Sequence, residues 1–466
     1  MPTEGRDPDL HEVRKVARAR GLAESLPTPQ GTVEKLQNSL QAKAKAEPAF
    51  RFYSLWDKVC RLDVLQEAYR RCEQNAGAAG ADGETFEAIE SRGLATWLVE
   101  LREELCAGKY RTQTLLRVWI PKSNGGQRPL SIPTIRDRVV ETAMLLVLTP
   151  IFEEDLLPNQ YGFRPRMDAK MAVRRAFWHI TKYGKREIVD ADLSDYFSTI
   201  PHGQLMRCIA RRIADGQVLS VIKAWLTAGV VERDGDRQWR TTESRDRKRG
   251  AAQGSPISPL MANLYFRRFL LAWEQHGYRD QYRAFVVNYG DDLVICCKPG
   301  NGAAAMQAMR RLMTRLGLTV NETKTRLVTI PEGTFTFLGY ETGQFYGKGG
   351  VPYIGTKPSR KAIKRALKEI HDMTSKRWNC TSPEERVKKI NSFLRGWAGY
   401  FDQGPVMPAY KLVRRYTERR IRRWLVGKRG QRGTGYRQYS DEYLYKTLGL
   451  YMLPWKYADL PRAKAC

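Results

Sequence analysis

Apolar positions at helical spacing appear early, at Leu55, Val59, Leu62, Leu65 and Ala68. They predict one continuous helix through "LWDKVCRLDVLQEAYRRCEQN", preceded by a basic helix in "TVEKLQNSLQAKAKAEPAF". Glycines in "GAAGADGET" then break the chain. "RVWIPKSNGGQRPLSIP" reads as a hairpin, two strand-forming runs around a Ser-Asn-Gly-Gly turn. "EIVDADLSDYF" starts as a buried strand, and "FVVNYGDDLVICC" predicts strand, tight turn and strand. "AAAMQAMRRLMTRLGL" has the pattern of an amphipathic helix. Farther on, Tyr410, Val413, Thr417, Ile421 and Trp424 step by three or four, with arginines expected on the other faces. "GKRGQRGTGYRQYS" reads as a loop, and residues 1–30, polar and charged, as a mobile segment.

A chain of 466 residues exceeds one compact core, so two or three domains are expected. Its 79 Lys and Arg against 50 Asp and Glu give a formal charge of +29. An excess of that size points to a polyanion, because Lys and Arg neutralise phosphates and release counterions. A membrane is the rival, but the longest apolar run, "AMLLVLTPIF", is half of the roughly 20 residues that a span requires. The first residues contain no apolar signal core. Nucleic acid is therefore the expected partner and no membrane is. From Lys357 to Arg432 there are 22 Lys and Arg against 6 Asp and Glu, a difference of +16. Just over half of the whole excess lies there, with too few glutamates for ordinary pairing along a helix. The eight cysteines form no C-x-x-C pair and the five histidines are dispersed. No zinc ribbon, disulfide framework or histidine-based nuclease is supported, and the reading is a reducing, cytoplasmic compartment.

Acid chemistry changes the picture most. Nucleotidyl transfer uses two divalent cations roughly 3.5–4 Å apart, one at the attacking 3′-hydroxyl and one at the leaving phosphate oxygens. Mg²⁺ takes hard oxygen ligands, so carboxylates must come together from distant segments. Asp192, ending "EIVDAD", and Asp291 and Asp292, in the turn after "FVVNY", are the candidates. Alone, each is weak, since Asp is also an ordinary turn residue. "YGDD" by itself leaves DNA and RNA synthesis both open.

Order and company narrow it. "NAGAAGADGET", "IPKSNGGQRPLSIPTIRDRVV", "NQYGFRPRMDAKMAV", "DADLSDYFSTIPH", "GAAQGSPISPLMANLYF", "YGDDLVI", "GLTVNETKT" and "FLGY" follow one another in that order. "NSFLRGWAGYF" and "YSDEYLYKTLGLY" come after them. The chain resembles bacterial group II intron-encoded reverse transcriptase/maturases from about Val33 to Leu453. That resemblance implies an α+β right-hand polymerase, with fingers, an antiparallel palm sheet and an α-helical thumb. Its divisions would be an N-terminal basic extension at 1–50, fingers and palm at 51–345, and a thumb/maturase domain at 346–466.

Carried over by resemblance, Asp192, Asp291 and Asp292 hold two Mg²⁺ ions, with Mn²⁺ as a substitute. Lys122 and Arg128 grip the incoming dNTP, Gln253 lies beside it, and Lys324 stands near the palm. "QGSP" also reads as a helix start with Ser255 as N-cap. Arg395, Trp397, Arg414, Arg415, Arg419, Arg422 and Arg423 are the candidates for gripping RNA, by backbone contact and stacking. The implied partners are group II intron RNA, an RNA template with a DNA primer, dNTPs and target DNA. Many members continue into a His-Asn-His endonuclease for which this sequence shows no Cys/His pairs. Priming from existing nicks or nascent strands is the corresponding expectation. Two other readings stay open: a domesticated reverse transcriptase for repair or phage defence, and an RNA-binding splicing factor with an inactive polymerase.

DNA synthesis is favoured over RNA synthesis. Tyr196, four residues after Asp192, is taken as the ring that excludes a 2′-hydroxyl, and Phe197 as palm packing. RNA-copying RNA polymerases want an acid at the fifth position after the first, where this chain has Phe197. Two departures from the family remain: Gly290 where Ala is commoner, and Asn288 where Arg is. Gly290 is expected to tune fidelity or primer tolerance rather than the reaction class.

Overall fold

A computed structural model describes residues 29–121, 126–234, 237–347 and 349–454. Lys122 and most of the segment expected to be mobile lie outside them. The strands are β1 (Leu115–Pro121), β2 (Gln127–Ile132), β3 (Glu187–Asp192), β4 (Val230–Asp234), β5 (Arg237–Thr241), β6 (Phe285–Tyr289), β7 (Asp292–Cys297), β8 (Arg326–Thr329), β9 (Phe335–Phe337), β10 (Tyr340–Tyr346) and β11 (Pro352–Pro358). The helices that frame the two units include α1 (Pro29–Ala46), α2 (Leu62–Gln74), α3 (Ile135–Glu153), α4 (Ala169–Thr181), α5 (Ser258–Gln275), α6 (Gly302–Arg315), α7 (Arg360–Met373), α8 (Pro383–Tyr400) and α9 (Met407–Lys428).

Two compact units cut across the linear order expected from the sequence. One gathers the described residues up to Pro165 with Leu193–Ala272 and Leu312–Thr319. The other gathers Arg166–Asp192, Trp273–Arg311 and the described residues from Val320 onward.

In the first unit α3 is the central post. Its apolar run is buried on nearly every side, and its charged residues are paired internally. Asp137 accepts from the Tyr110 hydroxyl at 2.7 Å and the Gln113 amide at 2.8 Å, and Arg138 donates to the Ala78 carbonyl at 2.5 Å. α1 is part of this core rather than an extension. Val33, Leu40 and Ala44 are buried, and Gln37 donates to the Leu146 carbonyl of α3 at 2.9 Å. The helix expected across residues 55–75 is broken. A short turn, Trp56–Val59, ends before Arg61, whose extended backbone (ψ 136°) restarts the chain as α2. Asp63 accepts the Val64 amide at 3.0 Å and pairs with Arg61, which favours a fresh start there over continuation. The predicted hairpin is β1–β2, with Ile120 opposite Arg128, and β4 and β5 extend it to the order β2-β1-β4-β5.

In the second unit an antiparallel sheet has the order β6-β7-β3-β8. β7 is buried from Leu293 to Cys297, as befits a central strand covered on both faces. A second sheet, β11-β10-β9, leads into α7, α8 and α9. Ser359 and Ser382 cap α7 and α8 by accepting from the Ala362 and Glu385 amides. The expected seam of α9 is buried, including Thr417, whose hydroxyl bonds back to the Val413 carbonyl at 2.8 Å. No helix among the described residues is long and apolar enough to cross a membrane.

Candidate active site

The acid cluster is built within the second unit. β3 ends at Asp192 and β7 begins at Asp292, and register pairs the two directly across the ladder. β6 and β7 close with Tyr289 opposite Asp292, which leaves Gly290 and Asp291 as a two-residue turn. Such a turn needs a left-handed residue, and Gly290 supplies it at φ +64°. Asn288 completes the turn. Its fully buried side chain donates to the Gly290 carbonyl at 2.8 Å and lies 3.3 Å from the Asp292 carbonyl.

"GLTVNETKT" supplies the support for Asp192. Asn321 Nδ2 and Lys324 Nζ reach its Oδ2 at 3.1 and 3.0 Å. The Asn321 amide donates to the Asp192 carbonyl, and the Asp192 amide donates to Thr325 Oγ1 at 3.3 Å. Sequence reasoning placed Lys324 near the palm but missed Asn321 and Thr325, whose residue types alone carry no signal. It also missed Asp190, which pairs with Arg326 at 3.2 Å.

Charge crowds this end of the sheet. Protein atoms around the Asp292 carboxyl, then Asp291, Asp192 and Asp190, push its pKa up to about 7, with Lys324 opposing. The residue as a whole stays solvent-exposed. The part of the shift that geometry secures is therefore the repulsion among carboxylates, which needs no burial. Tyr400, at the end of α8, belongs to the same neighbourhood. Burial, then Tyr289, Asp292 and Asp168, raise its pKa to about 12, and its hydroxyl donates to the Leu338 carbonyl at 2.8 Å.

As the side chains stand, no three acidic, histidine or cysteine residues among those described are gathered tightly enough to hold a metal. The chemistry of the donors nevertheless fits a divalent cation. They are hard carboxylate oxygens on adjacent strand ends that repel one another, and the Lys324 ammonium already sits on one of them.

The remaining candidates are in the first unit or the C-terminal helices. Arg128 is exposed on β2. Gln253 is half-buried, and its carbonyl accepts the Ser131 amide of β2 at 2.6 Å, tying "QGSP" to the hairpin strand. Ser255 caps no helix. It donates instead to Glu141 of α3, a fully buried acid whose pKa burial raises to about 8.

Tyr196 is misassigned as the sugar-sensing ring. It is 2% exposed, and its hydroxyl donates to the Ala262 carbonyl at 2.6 Å. A ring closed into the core has no face to offer a nucleotide. Phe197, assigned to packing, keeps an accessible face and meets Phe163 edge-on at 6.2 Å.

Three of the seven RNA candidates fail for the same kind of reason. Trp397 is buried between Phe401 and Tyr410. Arg422 is 1% exposed, donates to the Tyr439 carbonyl and pairs with Asp441. Arg414 is engaged by Glu418 and Tyr445. Arg415, Arg419 and Arg423 are exposed and four residues apart, which puts them on one stripe of α9. Arg395 is exposed beside Tyr451.

Comparison with known proteins gives the family. Residues 120–342 match the reverse transcriptase (RNA-dependent DNA polymerase) family, and 363–441 match the group II intron, maturase-specific domain. Protein YkfC of Escherichia coli (strain K12) is 30% identical over 71% of this chain and 93% of its own length. The chain belongs to the group II intron-encoded reverse transcriptase/maturase family. The group II intron-encoded protein LtrA of Lactococcus lactis is 30% identical over 46% of this chain, and the putative COX1/OXI3 intron 1 protein of Saccharomyces cerevisiae is 25% identical over 60%. The chain spans only 34% and 38% of those two longer proteins. Family membership makes it an RNA-directed DNA polymerase of α+β fold, a class that depends on divalent metal, with a maturase-type region after the polymerase.

Proposed function

We propose that this enzyme extends a DNA primer on an RNA template, with Asp192, Asp291 and Asp292 as the ligands of two Mg²⁺ ions. Mn²⁺ would substitute, sharing the preference for oxygen donors. The pairing of Asp192 with Asp292 across β3 and β7 carries this reading, because it puts acids from distant segments side by side. When bound, the ions lower the pKa of the primer hydroxyl and offset charge on the leaving phosphates. The chain's own residues do the rest. Asn321 and Lys324 orient Asp192, and Asn288 and Gly290 set the turn that presents Asp291 and Asp292. Lys122 and Arg128 suit the triphosphate, since cations on a hairpin can close over phosphate charge. Gln253, pinned through Ser131, suits the nucleotide itself. Primer extension by the purified protein with dNTPs and Mg²⁺ tests the reading, and absence of cDNA would defeat it.

Phe197 takes the discriminating role first given to Tyr196, since it is the ring with surface to offer. Phe197→Ala is expected to raise ribonucleotide incorporation at least about tenfold, the effect of one lost exclusion contact of ~1.4 kcal/mol. Tyr196→Phe should leave discrimination alone and lower the melting temperature. The reverse pattern in a dNTP/NTP competition assay would return the role to Tyr196.

The second role is binding of group II intron RNA to assist splicing, with a basic helix face as the grip and target DNA as a further polyanion. Arg415, Arg419 and Arg423 form that face. Replacing all three with Ala should weaken RNA binding and flatten the salt dependence of log K by about 2 to 3, since each lost phosphate contact removes ~0.7–0.9. Arg422→Ala should lower the melting temperature instead, with the salt slope retained. Titration of RNA across salt concentrations separates the two.

A further inference from the structure

At the end of β6 away from the acid turn, the second unit carries an aromatic and cationic face. Trp178 is 39% exposed on α4, and Tyr183, just beyond it, is 44% exposed. Between and beneath them the rings are layered. His179 stacks on Phe285 at 3.8 Å and 15°, and on Tyr183 at 5.1 Å and 28°, while Trp178 meets Tyr183 at 5.6 Å.

Cations frame the rings. Arg175 lies 5.2 Å from the Trp178 ring and 5.0 Å from Phe285, Lys182 is 5.1 Å over Trp178, and Lys185 is 5.7 Å over Phe285. Their charge is felt inside the stack. Burial, then Lys185, Arg175 and Arg279, push the His179 pKa down to about 3. Both of its ring nitrogens are buried without a hydrogen-bond partner among the described residues. The imidazole is therefore a neutral plate in an aromatic pile, not a base. The nearby carboxylate Glu187 is engaged by the amides of Gly300 and Gly302.

Position excludes the nucleotide being copied as the occupant. Phe285 begins β6 and Tyr289 ends it beside the Gly290–Asp291 turn. At ~3.3 Å per residue the two ends are about 13 Å apart. Exposed Trp and Tyr offer π-faces, and cations without a carboxylate partner among the described residues attract phosphate. Together they fit a nucleobase free of a duplex, with its flanking backbone.

We propose that Trp178 and Tyr183 form a stacking platform for an unpaired base of a bound RNA, with Arg175 and Lys182 on the adjoining phosphates. This rests on the reading that the protein holds a folded RNA, and it adds a contact surface outside the thumb.

The test uses the full chain and a single-stranded oligouridylate of about twelve nucleotides carrying one 4-thiouridine, compared with the same strand in duplex. Ultraviolet crosslinking, mapped by mass spectrometry, should label the 174–185 peptide with the single strand and much less with the duplex. Trp178→Ala/Tyr183→Ala should weaken single-strand binding about tenfold, with kcat for primer extension unchanged. Arg175→Gln/Lys182→Gln, which leaves the rings in place, should also weaken it and reduce its salt dependence. Equal labelling by duplex, no label in this peptide, or unchanged affinity in the cation variant would overturn the platform. An acidic protein as the true occupant would give that last result. Failure of primer extension in the unmutated protein would count against the polymerase reading, not against the platform.

Discussion

Replacing Asp192 with Asn is expected to lower primer extension on the order of a thousandfold, without lowering the melting temperature. The two halves come from one geometry. Asp192 faces Asp292 across the ladder, and the amide keeps its shape while removing its charge. A carboxylate ligand to a divalent ion stabilises several kcal/mol of developing charge, and each 1.36 kcal/mol is tenfold in rate. In the folded protein that charge repels Asp292 but is paired with Lys324 at 3.0 Å. Losing it relieves that repulsion and gives up a partly exposed ion pair of about 0–1 kcal/mol, so the fold should hold. Single-turnover extension and thermal melting measure the two halves. Retained synthesis would remove Asp192 from the chemistry. Lost synthesis with a collapsed melting temperature would make its role structural.

The second large effect concerns the turn itself. Gly290→Ala puts a Cβ on a residue at φ +64°, where an L side chain costs about 1–2 kcal/mol. Asn288→Ala removes the donor that reaches the Gly290 and Asp292 carbonyls, a loss of about 1–3 kcal/mol for the buried Gly290 acceptor. Either change lets the turn relax, and relaxation moves Asp291 and Asp292 off their positions. Extension should fall about tenfold in Asn288→Ala and by less in Gly290→Ala, with altered misincorporation in each. The double variant should fall by less than the product, because one turn cannot relax twice. Unchanged extension and misincorporation in Gly290→Ala would end the view that the glycine tunes primer handling. The structure also sharpens the two departures from the family into one: the buried amide at 288 and the glycine at 290 serve the same turn.

Much of the site was legible because catalysis needs acids after strands, and strands announce themselves by their apolar runs. "EIVDAD" and "FVVNYGDD" met that requirement and fell on adjacent strands. The α9 seam was legible for a similar reason, since a period of 3.6 over five positions allows little else. What failed was any statement about which member of a local group is exposed. Tyr196 and Phe197 are neighbours of similar chemistry, and the core takes the first. Arg422 and Arg423 are both cations in a basic run, yet the first is buried against the 439–441 segment.

The sequence by itself determined the reaction class, the three acids, the hairpin and the basic C-terminal helix. The reaction class depends on the order of motifs along the chain; the others depend on residue type and local period, which are properties of short stretches. Tertiary structure alone decided which aromatic faces outward, which arginines remain available, and how Asn321 and Lys324 hold Asp192. Those are outcomes of packing between segments as much as 132 residues apart. Burial and hydrogen bonding at one position are set by every element that meets there, and no local pattern encodes that meeting.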